Sequence, residues 1–430
     1  MKVWGAGDVD AAGAGTLRVG PKDLVTPLAR ERARELGVDI VQAAPTPPTP
    51  PAPPVSHPLV PSAAPPAPPA APTATASRPA PAATRPPSGP GSVPTMRPPS
   101  GALFRRGAPL PHGLTAGAGS TGRVIVVGAG HVGMITALRL ADADLFDEIV
   151  LVDIDEGRAA GVALDLTHTA SLGGFATRVR GTGTIEDAGP ADYVVITAGR
   201  PRQPGMSRSD LVSTNAAIVG DLAQRIARTA PDAVIVVVTN PLDEMTQHTW
   251  QSSGFPAERV VGMAGVLDTA RFQALSALAG AGRADGIHAV ALGSHGEEMV
   301  IPLSQARSGA RPLTELVDRA ALDAVVDRSR GSGAEVVGLL KTGSAFMAPG
   351  MSAARMVLAM ARDTGEVMPA AVLADGTYGI RDVYVGLPAR LGRRGVREIV
   401  ELDLKPDELS ALRDAAARIK DRLSRLAAVS

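Results

Sequence analysis

Short runs of β-branched and aliphatic residues recur along the second two-thirds of the chain, and stretches with helical spacing of apolar positions lie between them. Residues 123–128, 149–153, 178–182, 193–198, 233–239 and 259–262 read as strands, and helices are predicted to begin after Gly130, Glu156, Ser209 and Leu242. Strands alternating with helices imply an α/β fold built on a parallel, doubly wound sheet. Ligands of such sheets bind beyond the carboxyl ends of the strands, so the polar residues of interest should follow strands. Lys405 to Leu426 closes the chain as an amphipathic helix.

The first 120 residues follow a different pattern. In residues 1–44 one short amphipathic helix is predicted, with Thr26 as N-cap, Pro27 at its first position and Gly37 closing it in the left-handed conformation. A helix of about ten residues is marginal in water, so it needs a surface to lie against, either its own catalytic body or a partner. Residues 45–120 are dominated by Pro, Ala, Ser and Thr, with five arginines and no acidic residue or lysine. Too little apolar surface is available to offset the chain entropy, so this stretch reads as a disordered, semi-rigid Pro/Ala-rich linker.

Composition narrows the function. A chain of 430 residues that is 45% hydrophobic can bury more than one domain. Basic and acidic residues balance at 43 each, which leaves no excess to displace counterions from a nucleic acid. There are no cysteines, so thiol catalysis, disulfides and thiolate metal sites are excluded; no His/Asp/Glu cluster has metal-ligand spacing either. Neither a signal-peptide core nor an apolar run of about 18 residues occurs, so a cytoplasmic enzyme without membrane association is expected.

The stretch Arg123 to Gly133, R-V-I-V-V-G-A-G-H-V-G, joins a strand to a helix through three spaced glycines. Gly128 can take the turn, Gly130 lets the backbone approach a pyrophosphate, and Gly133 lets helix and strand pack closely. Asp153, at the end of the next strand, can accept from the hydroxyls of an adenosine ribose and would repel a 2′-phosphate. The pattern is that of a Rossmann domain that binds NAD rather than NADP.

Further motifs follow later strands. Thr197 to Arg208 reads T-A-G-R-P-R-Q-P-G-M-S-R; T-N-P-L-D contains Asn240; G-V-L-D-T-A-R-F contains Asp268 and Arg271; G-S-H-G-E-E contains His295. Together with G-A-G-H-V-G they resemble the lactate/malate dehydrogenase family, and the P-R-Q-P-G-M-S-R loop is similar to its malate branch. The resemblance spans roughly Arg123 to Leu426. It implies a Rossmann domain over residues 121–265 and a mixed α/β catalytic domain over 266–430. It also adds Thr197, Gly199, Asn215, Thr239 and Asn240 as neighbours of the cofactor.

Oxidising a 2-hydroxy acid requires a hydride acceptor, a base for the hydroxyl proton and a cation for the carboxylate. A histidine suits proton exchange near neutrality, which makes His295 the candidate base. By resemblance, Asp268 would orient it. Spacing alone would make Asp268 and Arg271 an ordinary helix-face pair. In the family reading Arg271 grips the substrate carboxylate through two parallel bonds, Arg208 closes over the substrate and polarises its C2 oxygen, and Asn240 bonds the substrate or the nicotinamide ribose region. Arg202 would pair with a second carboxylate. Left unpaired by a monocarboxylate, it would discriminate by about 10³-fold, and the small Ala345 suits the longer acid. Glu297 stands where the family usually has aspartate.

The expected activity is therefore reversible conversion of malate and NAD to oxaloacetate and NADH, in a homodimer or homotetramer. Two alternatives stay open. One is a lactate or other 2-hydroxy acid dehydrogenase; the other is a scaffold working through its extension. The segment Thr26 to Gly37, T-P-L-A-R-E-R-A-R-E-L-G, also resembles the short N-terminal segments of enzymes packaged in bacterial microcompartments, which implies a protein partner or a shell for residues 1–44.

Overall fold

The computed structural model of the protein describes residues 3–12, 15–20, 23–42, 122–200, 208–296 and 298–427. The linker expected over 45–120 lies outside them, as do Arg202 and Glu297.

Six parallel strands form one half of an eleven-stranded sheet. Across the sheet they run Arg178–Thr182, Glu148–Val152, Arg123–Val127, Tyr193–Ile196, Val234–Val237 and Val260–Gly262. Strand order reverses between Arg123–Val127 and Tyr193–Ile196, which opens a crevice at their carboxyl ends. These strands read as unbroken apolar runs because both faces of the sheet are covered. Val124, Val126, Ile149, Leu151 and Val195 enter one core, while Ile125, Val127, Val150, Val194 and Ile196 enter the core on the opposite face.

The other half of the sheet is antiparallel. Gly262 pairs with Ala371 of the strand Val367–Asp375, which pairs in turn with Arg381–Gly392. Hydrogen bonding therefore runs unbroken from the parallel strands into the second part of the chain. The helix expected at the C-terminus spans Pro406–Ala427 and buries Leu412, Ala415, Ala416 and Ile419.

The extension holds more structure than its sequence pattern announces. Its helix, Pro27–Leu36, has the expected caps: Thr26 Oγ1 accepts from the Ala29 N–H at 3.1 Å, and Gly37 sits at φ 67°. Around it lie a second helix, Ala6–Ala12, and two parallel strand pairs, Val3–Trp4 with Leu24–Val25 and Thr16–Val19 with Asp39–Gln42. Val9, Leu17, Val19, Ala29, Ala33 and Val38 form a small core of their own. The surface that the short helix needs is thus supplied within the extension, by the helix Ala6–Ala12 and the neighbouring strands. Two to four residues per strand is too short for an alternation to show in the sequence.

Candidate active site

The glycine loop forms the floor of the crevice. Gly128 has φ 104°, a conformation that L side chains rarely adopt. A Cβ on Gly133 would lie 1.8 Å from the Gly128 carbonyl oxygen, so only glycine lets the helix His131–Asp142 start this close to the strand. Gly130 is the N-cap of that helix, and a Cβ there would meet nothing within 4 Å. The open space lies where free helix N–H groups can receive a pyrophosphate, so the residues present fit a dinucleotide.

Asp153 holds this loop in shape. Its Oδ2 accepts from the Ala129 N–H at 2.8 Å, and its Oδ1 accepts from the Asp155 N–H at 3.0 Å. Each oxygen keeps a second lone pair for a ribose hydroxyl. Thr197 ties the next strand to the turn, donating to the carbonyls of Val127 at 2.9 Å and Gly128 at 3.1 Å. Gly199 lies against Thr239, whose methyl a Cβ would meet at 2.6 Å. Thr239 itself donates to the Ala198 carbonyl at 2.6 Å.

Asn215 commits its amide to the loops. Its Oδ1 accepts from the Arg200 N–H at 2.8 Å, while its Nδ2 donates to the carbonyls of Asn240 at 2.7 Å and Arg200 at 3.2 Å. It therefore clamps the loops after two adjacent strands. His131 packs its ring against Phe346, 4.9 Å between centroids, which brings the G-S-A-F segment containing Ala345 to the glycine loop.

The proton-transfer candidates meet at a second place, where the helix Gly265–Leu278 faces the loop that carries His295. Asp268 and Arg271 share a face of the helix Gly265–Leu278. Asp268 Oδ2 lies 2.8 Å from His295 Nδ1, and its Oδ1 accepts from Arg271 Nη1 at 3.1 Å. Asp268 is 1% exposed, so neither partner competes much with water for it. Burial pushes the His295 imidazole pKa down, but the charge and hydrogen bond of Asp268 outweigh it and the net shift is upward. The ring leaves Nε2 for a substrate. His295 and Asn240 line a cleft of about 280 Å³, together with Leu211, Val212 and, from the extension, Leu28 and Glu31. Arg208 begins the helix Arg208–Thr229 after the undescribed residues 201–207.

A second layer, absent from the sequence reading, supports the histidine. Asp243 Oδ2 accepts from the His295 backbone N–H and from Ser294 Oγ, each at 2.9 Å. Arg422 of the C-terminal helix donates to Ser294 Oγ at 2.8 Å, Glu298 at 2.7 Å and the buried Glu244 at 2.5 Å. The acidic pair after N-P-L and the serine before the histidine were the available signals, but their partner lies over a hundred residues downstream.

Comparison with known proteins shows the family. Residues 122–262 match the family described as lactate/malate dehydrogenase, NAD binding domain, and residues 265–429 match its alpha/beta C-terminal domain. The chain is 43% identical over 305 residues to a malate dehydrogenase of Pelodictyon phaeoclathratiforme, covering 71% of this chain and 98% of the relative. It superposes on the crystal structure of malate dehydrogenase from Salinibacter ruber with a TM-score of 0.68 at 39% identity, covering 71% and 98% of the two chains. A lactate dehydrogenase from Cryptosporidium parvum, solved with lactic acid and nicotinamide adenine dinucleotide, gives a TM-score of 0.68 at 35% identity, with 71% and 97% covered.

Proposed function

The chain belongs to the lactate/malate dehydrogenase family, and from that premise we propose that it is an NAD-dependent malate dehydrogenase, interconverting malate and oxaloacetate. The observation that carries the reading is the His295–Asp268–Arg271 chain of hydrogen bonds, with His295 lining a cleft, in a molecule whose glycine loop suits a dinucleotide.

Bound NAD supplies the two-electron acceptor for the hydrogen on C2 of malate. The chain's own residues handle the proton and the carboxylates. His295 Nε2 takes the hydroxyl proton during oxidation and returns it to the C2 oxygen during reduction. Asp268 fixes the tautomer by bonding Nδ1 and stabilises the imidazolium. Arg271 uses one N–H on Asp268, which leaves others for the C1 carboxylate. Arg208 polarises the C2 oxygen, and Arg202 pairs with the second carboxylate. Asn240 bonds the substrate or the adjoining ribose from the cleft wall. Gly128, Gly130, Gly133 and Asp153 hold the dinucleotide, while Thr197, Gly199, Asn215 and Thr239 shape the loops around it.

Absorbance of NADH tests the substrate assignment. Wild type should turn over oxaloacetate at least about 10³-fold more efficiently than pyruvate, and Arg202→Gln should lose most of that preference. Equal rates on both acids would remove the malate assignment and leave the wider family chemistry.

The division of the chain is part of the same proposal: an extension over 1–44, a linker over 45–120, a cofactor domain over 121–265 and a substrate domain over 266–430. A cytoplasmic homodimer or homotetramer fits the exposed leucines Leu164 and Leu172 on neighbouring helices. The extension, folded around its own core, suits a docking role toward a protein partner or a microcompartment shell. Deleting residues 1–120 should abolish co-purification with such a partner. Because Leu28 and Glu31 leave the cleft in the same deletion, the KM for oxaloacetate should fall. An unchanged KM would show that the extension does not shape access.

A further inference from the structure

We propose that Asp243 is a positioning residue for this chemistry: it fixes the backbone of His295 and, through its negative charge, sets how tightly the imidazole holds its proton. The inference rests on the reading of His295 as the proton-transfer group.

Asp243 is the second residue of the helix Leu242–Ser253, which begins just after Asn240 and Pro241, and is 2% exposed. One carboxylate oxygen takes both available donors, the His295 N–H and the Ser294 hydroxyl. The other, Oδ1, is buried without a hydrogen-bond partner, in a residue that lines the cleft. An unsatisfied buried carboxylate oxygen is costly, and a neutral side chain would avoid much of the cost. A charge kept under those conditions calls for a use.

The surrounding charges indicate the use. Glu244, next along the helix, is met by Arg422, which also takes Glu298. Arg271 is engaged by Asp268, and Glu31 adds a further acid to the cleft lining. Among the described residues no arginine or lysine forms an ion pair with Asp243; Arg422 reaches it only through the Ser294 hydroxyl, and protonated His295, held by Asp243 at its backbone N–H, is a cation that acts on it directly.

Two carboxylates therefore address one histidine from different helices, Asp268 at the ring and Asp243 at the main chain. Burial, followed by the neighbouring Glu244, pushes the Asp243 carboxyl up to about 6, while the bonds and charge of His295 pull it down. The Asp243 charge in turn favours protonated His295. Two groups coupled in this way titrate as a pair.

The test is an NMR pH titration of the His295 ring in the full chain without substrate or cofactor, its signal assigned by its loss in His295→Gln. Asp243→Asn keeps an oxygen to accept both bonds but removes the charge. Its His295 midpoint should fall relative to wild type, by less than it falls when Asp268 loses its charge. In wild type a second, smaller inflection should appear near the Asp243 transition at about 6 and be absent from the variant. An unchanged midpoint in the variant would overturn the proposal. Should the variant fail to fold, a wild-type curve with one inflection overturns it as well, and one with two supports it. Turnover of oxaloacetate, measured separately, bears on the function itself, so a failure there and a failure in the titration are distinguishable.

Discussion

Replacing Asp268 with asparagine keeps the shape of the side chain and removes the charge that stabilises protonated His295. The two groups lie 2.8 Å apart, and both are largely buried, His295 at 14% side-chain exposure. With charge centres about 4 Å apart and an effective dielectric constant of about 20, their attraction is about 4 kcal/mol, and it holds the imidazole midpoint up against burial. Burial, which already favours the neutral ring, then acts unopposed. Reduction of oxaloacetate needs the protonated ring, so its kcat/KM falls as pH rises through the His295 midpoint. In Asp268→Asn that fall should move to lower pH, and kcat/KM at neutral pH should drop by about 10² to 10³. Oxidation of malate should lose a similar factor, because the overall equilibrium is unaltered and the imidazolium formed in that direction is equally destabilised. The assay is NADH absorbance in both directions from pH 5 to 9, with NADH fluorescence to check that the cofactor still binds. A variant with the wild-type pH profile and less than a tenfold loss would refute the role assigned to this carboxylate.

Two further substitutions probe the support. Arg422→Ala leaves Glu244, 3% exposed, buried without its cation; a loss of about 3 kcal/mol and a clear fall in melting temperature are expected, and an unchanged thermal transition would show that the charge is balanced elsewhere. Gly133→Ala and Gly130→Ala should both abolish tight NADH binding in a fluorescence titration, but only Gly133→Ala should also destabilise the protein, because its Cβ would strike the Gly128 carbonyl while that of Gly130 would enter open space. Wild-type NADH affinity in Gly130→Ala would remove that glycine from the cofactor site.

The sheet was legible because each central strand is buried on both faces, which forces continuous apolar runs such as Val124 to Val127 and Ile149 to Val152. The caps of the Pro27–Leu36 helix were legible for an equally local reason, since Thr26 and Gly37 act on their own neighbours. Sites assembled from distant segments were less accessible. Resemblance identified His295 and Asp268, but the clamp made by Asn215 depends on two loop carbonyls that no side chain announces. Asp243, Ser294 and Arg422 come from three elements and appear as a system only once the C-terminal helix has packed. The strands of the extension were missed because they are too short for alternation to register.

The pairing of Gly262 with Ala371 stitches the stretch that matches the cofactor half of the family to the stretch that matches the other half. A chain severed at residues 263–264 would give two fragments with raw apolar borders, each a template for clumping with its own kind. Chimeras that transplant a new nucleotide preference from a relative should therefore exchange the glycine turn and Asp153 within an intact backbone, or carry both partners of that seam together.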